Sequence, residues 1–164
     1  MNPCGAQRPG ELLPPVRLLP LSRPESFAVS LRSRWVQAGE LRLHFRVANP
    51  ADALPPAGTL PACALGFVLS RKQCRHAARR NLIRRIARER VRAHLRRHPR
   101  PAEPEAAALP VLVLRLQRRF DAQWRSQQSQ PLRRYLQGLL EQLLGQWEQS
   151  RRPSEGARRR AEAP

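Results

Sequence analysis

Between Ser70 and Arg97 the chain reads SRKQCRHAARRNLIRRIARERVRAHLRR, and no other stretch restricts the fold as much. At about 100° per residue around a helix, Arg80, Arg84, Arg88, Arg92 and Arg96 drift slowly around one side. Asn81 and Arg85 join that side, while Leu82, Ile83, Ile86, Ala87 and Ala93 gather on the other. The pattern predicts a helix over 77–97 that grips a core with one face and carries a cationic stripe on the opposite one. Val91 and Leu95 fall on the arginine side and interrupt the stripe's C-terminal half. Pro99, Pro101 and Pro104 end the helix.

A charged helix face is ordinarily a solvated one, with opposite signs at four-residue spacing. Here Glu89 is the sole acid between Arg71 and Arg100. Arginines left facing each other at that spacing destabilise an isolated helix by about 0.2–0.5 kcal/mol per pair. An external anion would relieve them. The whole chain agrees, with 31 Lys and Arg against 12 Asp and Glu and a net charge of +19. Such a charge repels itself in a compact monomer. A polyanion is its natural partner, because each neutralised phosphate releases counterions. Lys72 is the sole lysine. GC-rich coding accounts for arginine over lysine, but not for the excess of positive charge.

The 164 residues suit one domain. Residues 1–17, rich in Pro, read as a loose arm, 18–148 as the domain, and 149–164 as a disordered basic tail. A first helix is expected after Ser22 as N-cap, with Glu25 completing a capping box. Phe27, Leu31 and Trp35 continue it at four-residue spacing, although Val36 to Gly39 already reads as strand and turn. Leu41 to Val47 alternates: Leu41, Leu43, Phe45 and Val47 face one way, and Arg42, His44 and Arg46 the other. This predicts a half-buried strand with one cationic face. Residues 49–61 read as loop, Cys63 to Ser70 as a central strand, and 99–108 as linker. Val111 to Leu114 is another buried strand. Leu132 to Trp147 is a last helix, with Leu132, Leu136, Leu139, Leu140, Leu143, Leu144 and Trp147 on one side. The order α-β-β-β-α-β-α predicts an α+β fold, a single-domain α/β sandwich. Its strand–helix–strand unit is right-handed by default.

Catalysis by the protein itself finds no support. The acids Glu25, Glu40, Asp52, Glu89, Glu103, Glu105 and Asp121 are scattered, with no pair suited to two metals. His44, His76, His94 and His98 lack metal-ligand spacing with acids or cysteines. Cys4, Cys63 and Cys74 form no CxxC, and Cys63 reads as a small core residue. No apolar run approaches the roughly 18 residues of a membrane span, and no secretory signal pattern opens the chain. The expectation is a cytoplasmic protein with neither membrane nor DNA as partner. A DNA reader is disfavoured because no second helix lies a short turn away and no dimer seam is visible.

The segment LGFVLSRK…AARRNLIRRIARE resembles the signature of the bacterial ribonuclease P protein family. In that family a strand ends in serine and basic residues, and a helix then opens with an arginine–asparagine pair, further basics, and a closing arginine–glutamate. Here the match runs through Arg80, Asn81, Leu82, Ile83, Arg84, Arg85, Ile86, Ala87, Arg88 and Glu89, with Arg71 and Lys72 after the strand. Phe27, Leu31, Gly39, the strand LRLHFRV and Leu109 to Arg119 extend the resemblance over about Leu18 to Leu144. Leu82 stands where the family has a second arginine, and the spacing from Ser70 to Arg80 is one residue longer than in many members.

The resemblance implies an α/β sandwich like the second domain of ribosomal protein S5, with a left-handed crossover around the arginine helix. It implies that the catalyst is an RNA subunit using bound magnesium (Mg2+), with no cofactor intrinsic to the protein. The implied partners are that RNA and precursor tRNA, whose single-stranded 5′ leader lies in a cleft between the first helix and the sheet. Arg71, Lys72, Arg79, Arg80, Asn81, Arg84, Arg85, Arg88 and Arg92 would bind RNA. Phe27, Leu31, Arg42, His44 and Arg46 would line the leader cleft, an aromatic beside cations being the usual apparatus for single strands. Phe27 reads equally well as core. The alternative is a non-catalytic RNA-binding protein such as a ribosomal protein.

Overall fold

A computed structural model describes residues 15–54, 62–98, 109–124 and 129–151. Strands form where the sequence alternates or runs apolar. β1 (Arg17–Pro20) is followed by α1 (Pro24–Leu31), β2 (Arg34–Ala38) and β3 (Leu41–Val47). A 3-10 turn (Pro50–Asp52), β4 (Ala62–Val68), α2 (Ala77–Arg97), β5 (Pro110–Leu116) and α3 (Gln130–Arg151) complete the order. One five-stranded sheet runs β1-β4-β5-β3-β2. β4 pairs in parallel with β1 and β5, and β3 pairs antiparallel with β5 and β2.

The two sheet faces bury different sets, as the period of two demands. Leu41, Leu43, Phe45, Leu65, Leu112 and Leu114 pack with α2 and α3. Leu19, Ala62, Ala64, Val111 and Val113 pack on the other face with Phe27 and Leu31 of α1. This is the expected α+β class. All seven apolar positions anticipated on α3 are buried. Fully burying a leucine contributes about 1.5–3 kcal/mol, so this helix anchors the larger core. Cys63 is buried in β4, a central strand as expected. Among the described residues no helix is long and apolar enough to cross a membrane.

Several boundaries differ from the sequence expectations. Arg17, placed in the arm, begins β1, whose backbone pairs with β4 from Arg17↔Ala62 to Pro20↔Leu65. Four residues between prolines carry little alternation, and the strand forms because β4 offers an edge. Pro20 is tolerated there since an edge strand leaves one side unpaired. Residues 1–14, 55–61, 99–108 and 152–164, where the arm, loop, linker and tail were expected, lie outside the described residues. The tail does not start at 149, because α3 continues to Arg151. α1 does not start at a Ser22 cap: Arg23 is the N-cap, Pro24 follows, and no side-chain cap forms. Proline's fixed φ pre-sets the first helical residue and overrides the Ser22–Glu25 pattern. Trp35 belongs to β2, not to the helix.

α2 has the predicted bounds but a different orientation. Its buried side chains are Arg79, Leu82, Ile83, Ile86, Ala87, Val91 and Leu95. Arg79, Ile83, Ala87, Val91 and Leu95 form a buried four-residue row. The arginine row from Arg80 to Arg96 follows it one position later, about 100° around the axis. The cationic stripe therefore flanks the core rather than opposing it. Val91 and Leu95 belong to the buried row, and Ala93 is only half-buried.

Gly39 makes the β2–β3 turn with φ 53°, a conformation open to glycine at no steric cost. A Cβ there would stand 2.9 Å from Leu139 Cδ2. The adjacent Glu40 is buried and accepts a 2.7 Å hydrogen bond from the Tyr135 hydroxyl. This ties the hairpin to α3.

Candidate RNA interface

The arginine flank of α2 borders a groove of about 360 Å³. Arg84, Arg88 and Arg92 line one side, Leu18 to Leu21 the edge at β1, and Phe27, Gly66 and Phe67 the remainder. The Arg88 guanidinium lies 5.4 Å from the centre of the Phe67 ring, a cation–π contact. Phe27 reaches the groove from α1, on the opposite sheet face. Its ring seats on the backbone of β4 at Gly66, where a Cβ would lie 2.7 Å from Phe27 Cε1. Glycine is required there for close approach. Phe27 packs on the smaller core and remains half-exposed along a cationic groove.

The flank is not neutralised from within. Among the described residues the ion pairs are Arg46–Asp52, Arg90–Glu141, His94–Glu148 and Arg151–Glu148. None involves Arg80, Arg84, Arg85, Arg88 or Arg92. Arg85, Arg88 and Asn81 are exposed, and Arg84 and Arg92 are half-buried. Arg84 Nη1 donates to Asn81 Oδ1 at 3.1 Å.

Two of the expected RNA-binding arginines make contacts within the protein. Arg80 Nη1 donates to the carbonyls of Cys74 and Arg75 at 2.7 and 2.8 Å, closing the loop before α2. Arg79 is buried, donates to the Trp124 carbonyl, and lies 5.7 Å from the Phe120 ring centre. Arg71 and Lys72 are exposed in the turn after β4. Arg119 Nε donates to the Lys72 carbonyl at 3.0 Å, fixing this turn to the end of β5.

The sheet face beneath α1 is less cationic than the alternation suggested. His44 is 1% exposed. Burial above all, then Arg42 and Arg115, hold its pKa below the ordinary value, so the imidazole is neutral at physiological pH. Arg46 clasps Asp52 through two bonds of 2.6 and 2.7 Å, and donates to Ser30 Oγ at 2.8 Å and the Ser26 carbonyl at 3.2 Å. These bonds clamp α1 to β3. The Arg46 guanidinium holds the Asp52 carboxyl well below the usual carboxylate range. Arg42 remains half-exposed beside Arg115 of β5, its register partner. Leu31 is half-buried on the smaller core.

Sequence reasoning missed Gly66, Asp52, Arg115 and the β1 edge. Asp52 sits in a Pro-rich stretch that read only as loop. Gly66 carried no signal beyond being a glycine within a strand. Among the described residues no three His, Cys, Asp or Glu side chains cluster as metal ligands.

The family profile described as Ribonuclease P matches residues 19–142, spanning every element from the end of β1 into α3. The chain is similar to the ribonuclease P protein component of Bordetella petrii, with 31% identity over 115 residues, 64% of this chain and 89% of the relative. No solved structure matches. With most of its length inside that profile, the whole of α2 included, the chain belongs to the ribonuclease P protein family.

Proposed function

We propose that the chain binds the RNA subunit of ribonuclease P and the 5′ leader of precursor tRNA, and so promotes removal of that leader. The observation that carries this is the row Arg84, Arg88 and Arg92, which lacks carboxylate partners among the described residues and shares one groove with Phe27. Arginines of this kind position a phosphate backbone. A half-exposed aromatic beside them suits an unpaired base. Phosphodiester hydrolysis belongs to the RNA subunit with its magnesium. The described residues bring no group of three or more His, Cys, Asp or Glu side chains together. The protein's contribution is to bind and orient.

The test is the salt dependence of affinity for the RNA subunit. Arg84→Ala and Arg88→Ala are each expected to weaken binding and to flatten the slope of log affinity against log salt by about one. An unchanged slope in both would return the stripe to a solvated face. Arg80→Ala, by contrast, should act mainly through the loop it closes.

A further inference from the structure

The strand register sets two rungs side by side across the sheet face that carries α1. One rung runs Gly66, Val113, His44, Trp35 from β4 to β2. The next runs Val68, Arg115, Arg42, Gln37. Phe27 rests on Gly66 at one end of the first rung. Trp35 stands at the other end, three strand spacings or about 14 Å away. The middle of this rung, Val113 and His44, is buried, with α1 packed across β5 and β3. The second rung carries the half-exposed arginines.

Trp35 is 49% exposed on β2, an edge strand of the sheet among the described residues. The Arg42 guanidinium carbon lies 3.9 Å from its ring centre. Gln37 Oε1 accepts from Arg42 Nε at 3.3 Å and Nη2 at 2.9 Å, fixing the stack. No carboxylate among the described residues pairs with Arg42. An exposed indole with Arg42 set on its ring and Arg115 next along the rung matches the chemistry of unpaired nucleotides: a flat π surface for a base and charge for its phosphates.

We propose that Trp35 is a second stacking platform, which takes a base of the RNA single strand after it has passed Phe27, with Arg42 and Arg115 on the connecting phosphates. The proposal rests on the leader-binding function above and adds its far end. The strand passes beside α1 along the arginine rung, since the middle of the aromatic rung is covered.

The experiment measures the affinity of the reconstituted holoenzyme for precursor tRNA with a leader of several nucleotides and with a leader cut to one. Trp35→Ala should weaken binding of the long-leader substrate about tenfold, within the range for one base stacked on an aromatic. It should leave the one-nucleotide substrate unchanged, and Trp35→Phe should recover most of the loss. Because the side chain is half-exposed, the alanine variant should melt within a few degrees of the parent, and a parallel melt checks this. Equal affinity of parent and Trp35→Ala for the long leader overturns the platform while leaving the leader-binding function standing. A parent holoenzyme that does not distinguish the two leaders overturns both. Sedimentation of the free protein covers the remaining occupant: a dimer that Trp35→Ala dissolves would make the indole a seam between two copies and overturn the proposal.

Discussion

Removing the Asp52 carboxylate should loosen α1 from the sheet. The Arg46–Asp52 pair is nearly dry, with side-chain exposures of 9% and 1%. Its two short bonds are joined by the Arg46 bonds to Ser30 and Ser26 and by the Asn49 backbone N–H, which donates to Asp52 Oδ2 at 2.8 Å. Breaking one partner of a buried pair costs about 3–5 kcal/mol, because a charge is left uncompensated. Against a typical total of about 5–15 kcal/mol, Asp52→Ala is a severe change. Asp52→Asn keeps an acceptor for Asn49 and for one guanidinium N–H, and should cost about half as much. The pH dependence has a definite sign. The folded-state pKa of Asp52 is depressed, so its contribution is present above the unfolded value of about 3.9 and is lost as pH falls toward the folded value. Urea unfolding of Asp52→Asn and parent at neutral pH, and again at decreasing pH, measures both effects. The midpoints should differ clearly at neutral pH with unchanged slopes, and converge in acid. A difference below about 0.5 kcal/mol at neutral pH, the level of an ordinary surface change, would refute the clamp.

Gly66→Ala places a Cβ against the Phe27 ring and should cost about 1–3 kcal/mol by overpacking; calorimetric melting measures it, and leader affinity should fall with it as the ring shifts. Tyr135 is the chain's one tyrosine, so ultraviolet titration reads it alone. Burial, then its bond to Glu40, pushes it up to about 12, and a midpoint at the ordinary value of about 10 would contradict the buried contact.

The fold was legible where one force dominated. The end of α2 follows from the prolines after it, and the leucine face of α3 and the buried strand at 111–114 follow from apolar spacing. β1 was not, because its pairing comes from the free edge of β4 and not from its own four residues. The wheel placed the arginines correctly relative to each other but misjudged what lay opposite. Anchored on Arg80, it made Val91 and Leu95 exceptions, whereas the buried row simply precedes the arginine row by one residue. A four-residue row drifts around a helix, so a core contact that follows the drift leaves the arginines a flank, not the opposite face. At the site, residue types were legible and their employment was not. Nothing local distinguishes Arg46 and Arg79, used for internal contacts, from Arg88 and Arg42, which face outward. That division depends on Asp52 and on the Trp124 carbonyl, partners brought close only by the fold.

The central claim is that the arginine flank and groove serve a catalytic RNA. The most direct measurement is cleavage of precursor tRNA by a bacterial ribonuclease P RNA at low magnesium and moderate salt, with and without this protein. The account predicts strong stimulation by the parent chain, reduced in the Arg84→Ala, Arg88→Ala double variant. Cleavage no faster than with RNA alone would contradict it.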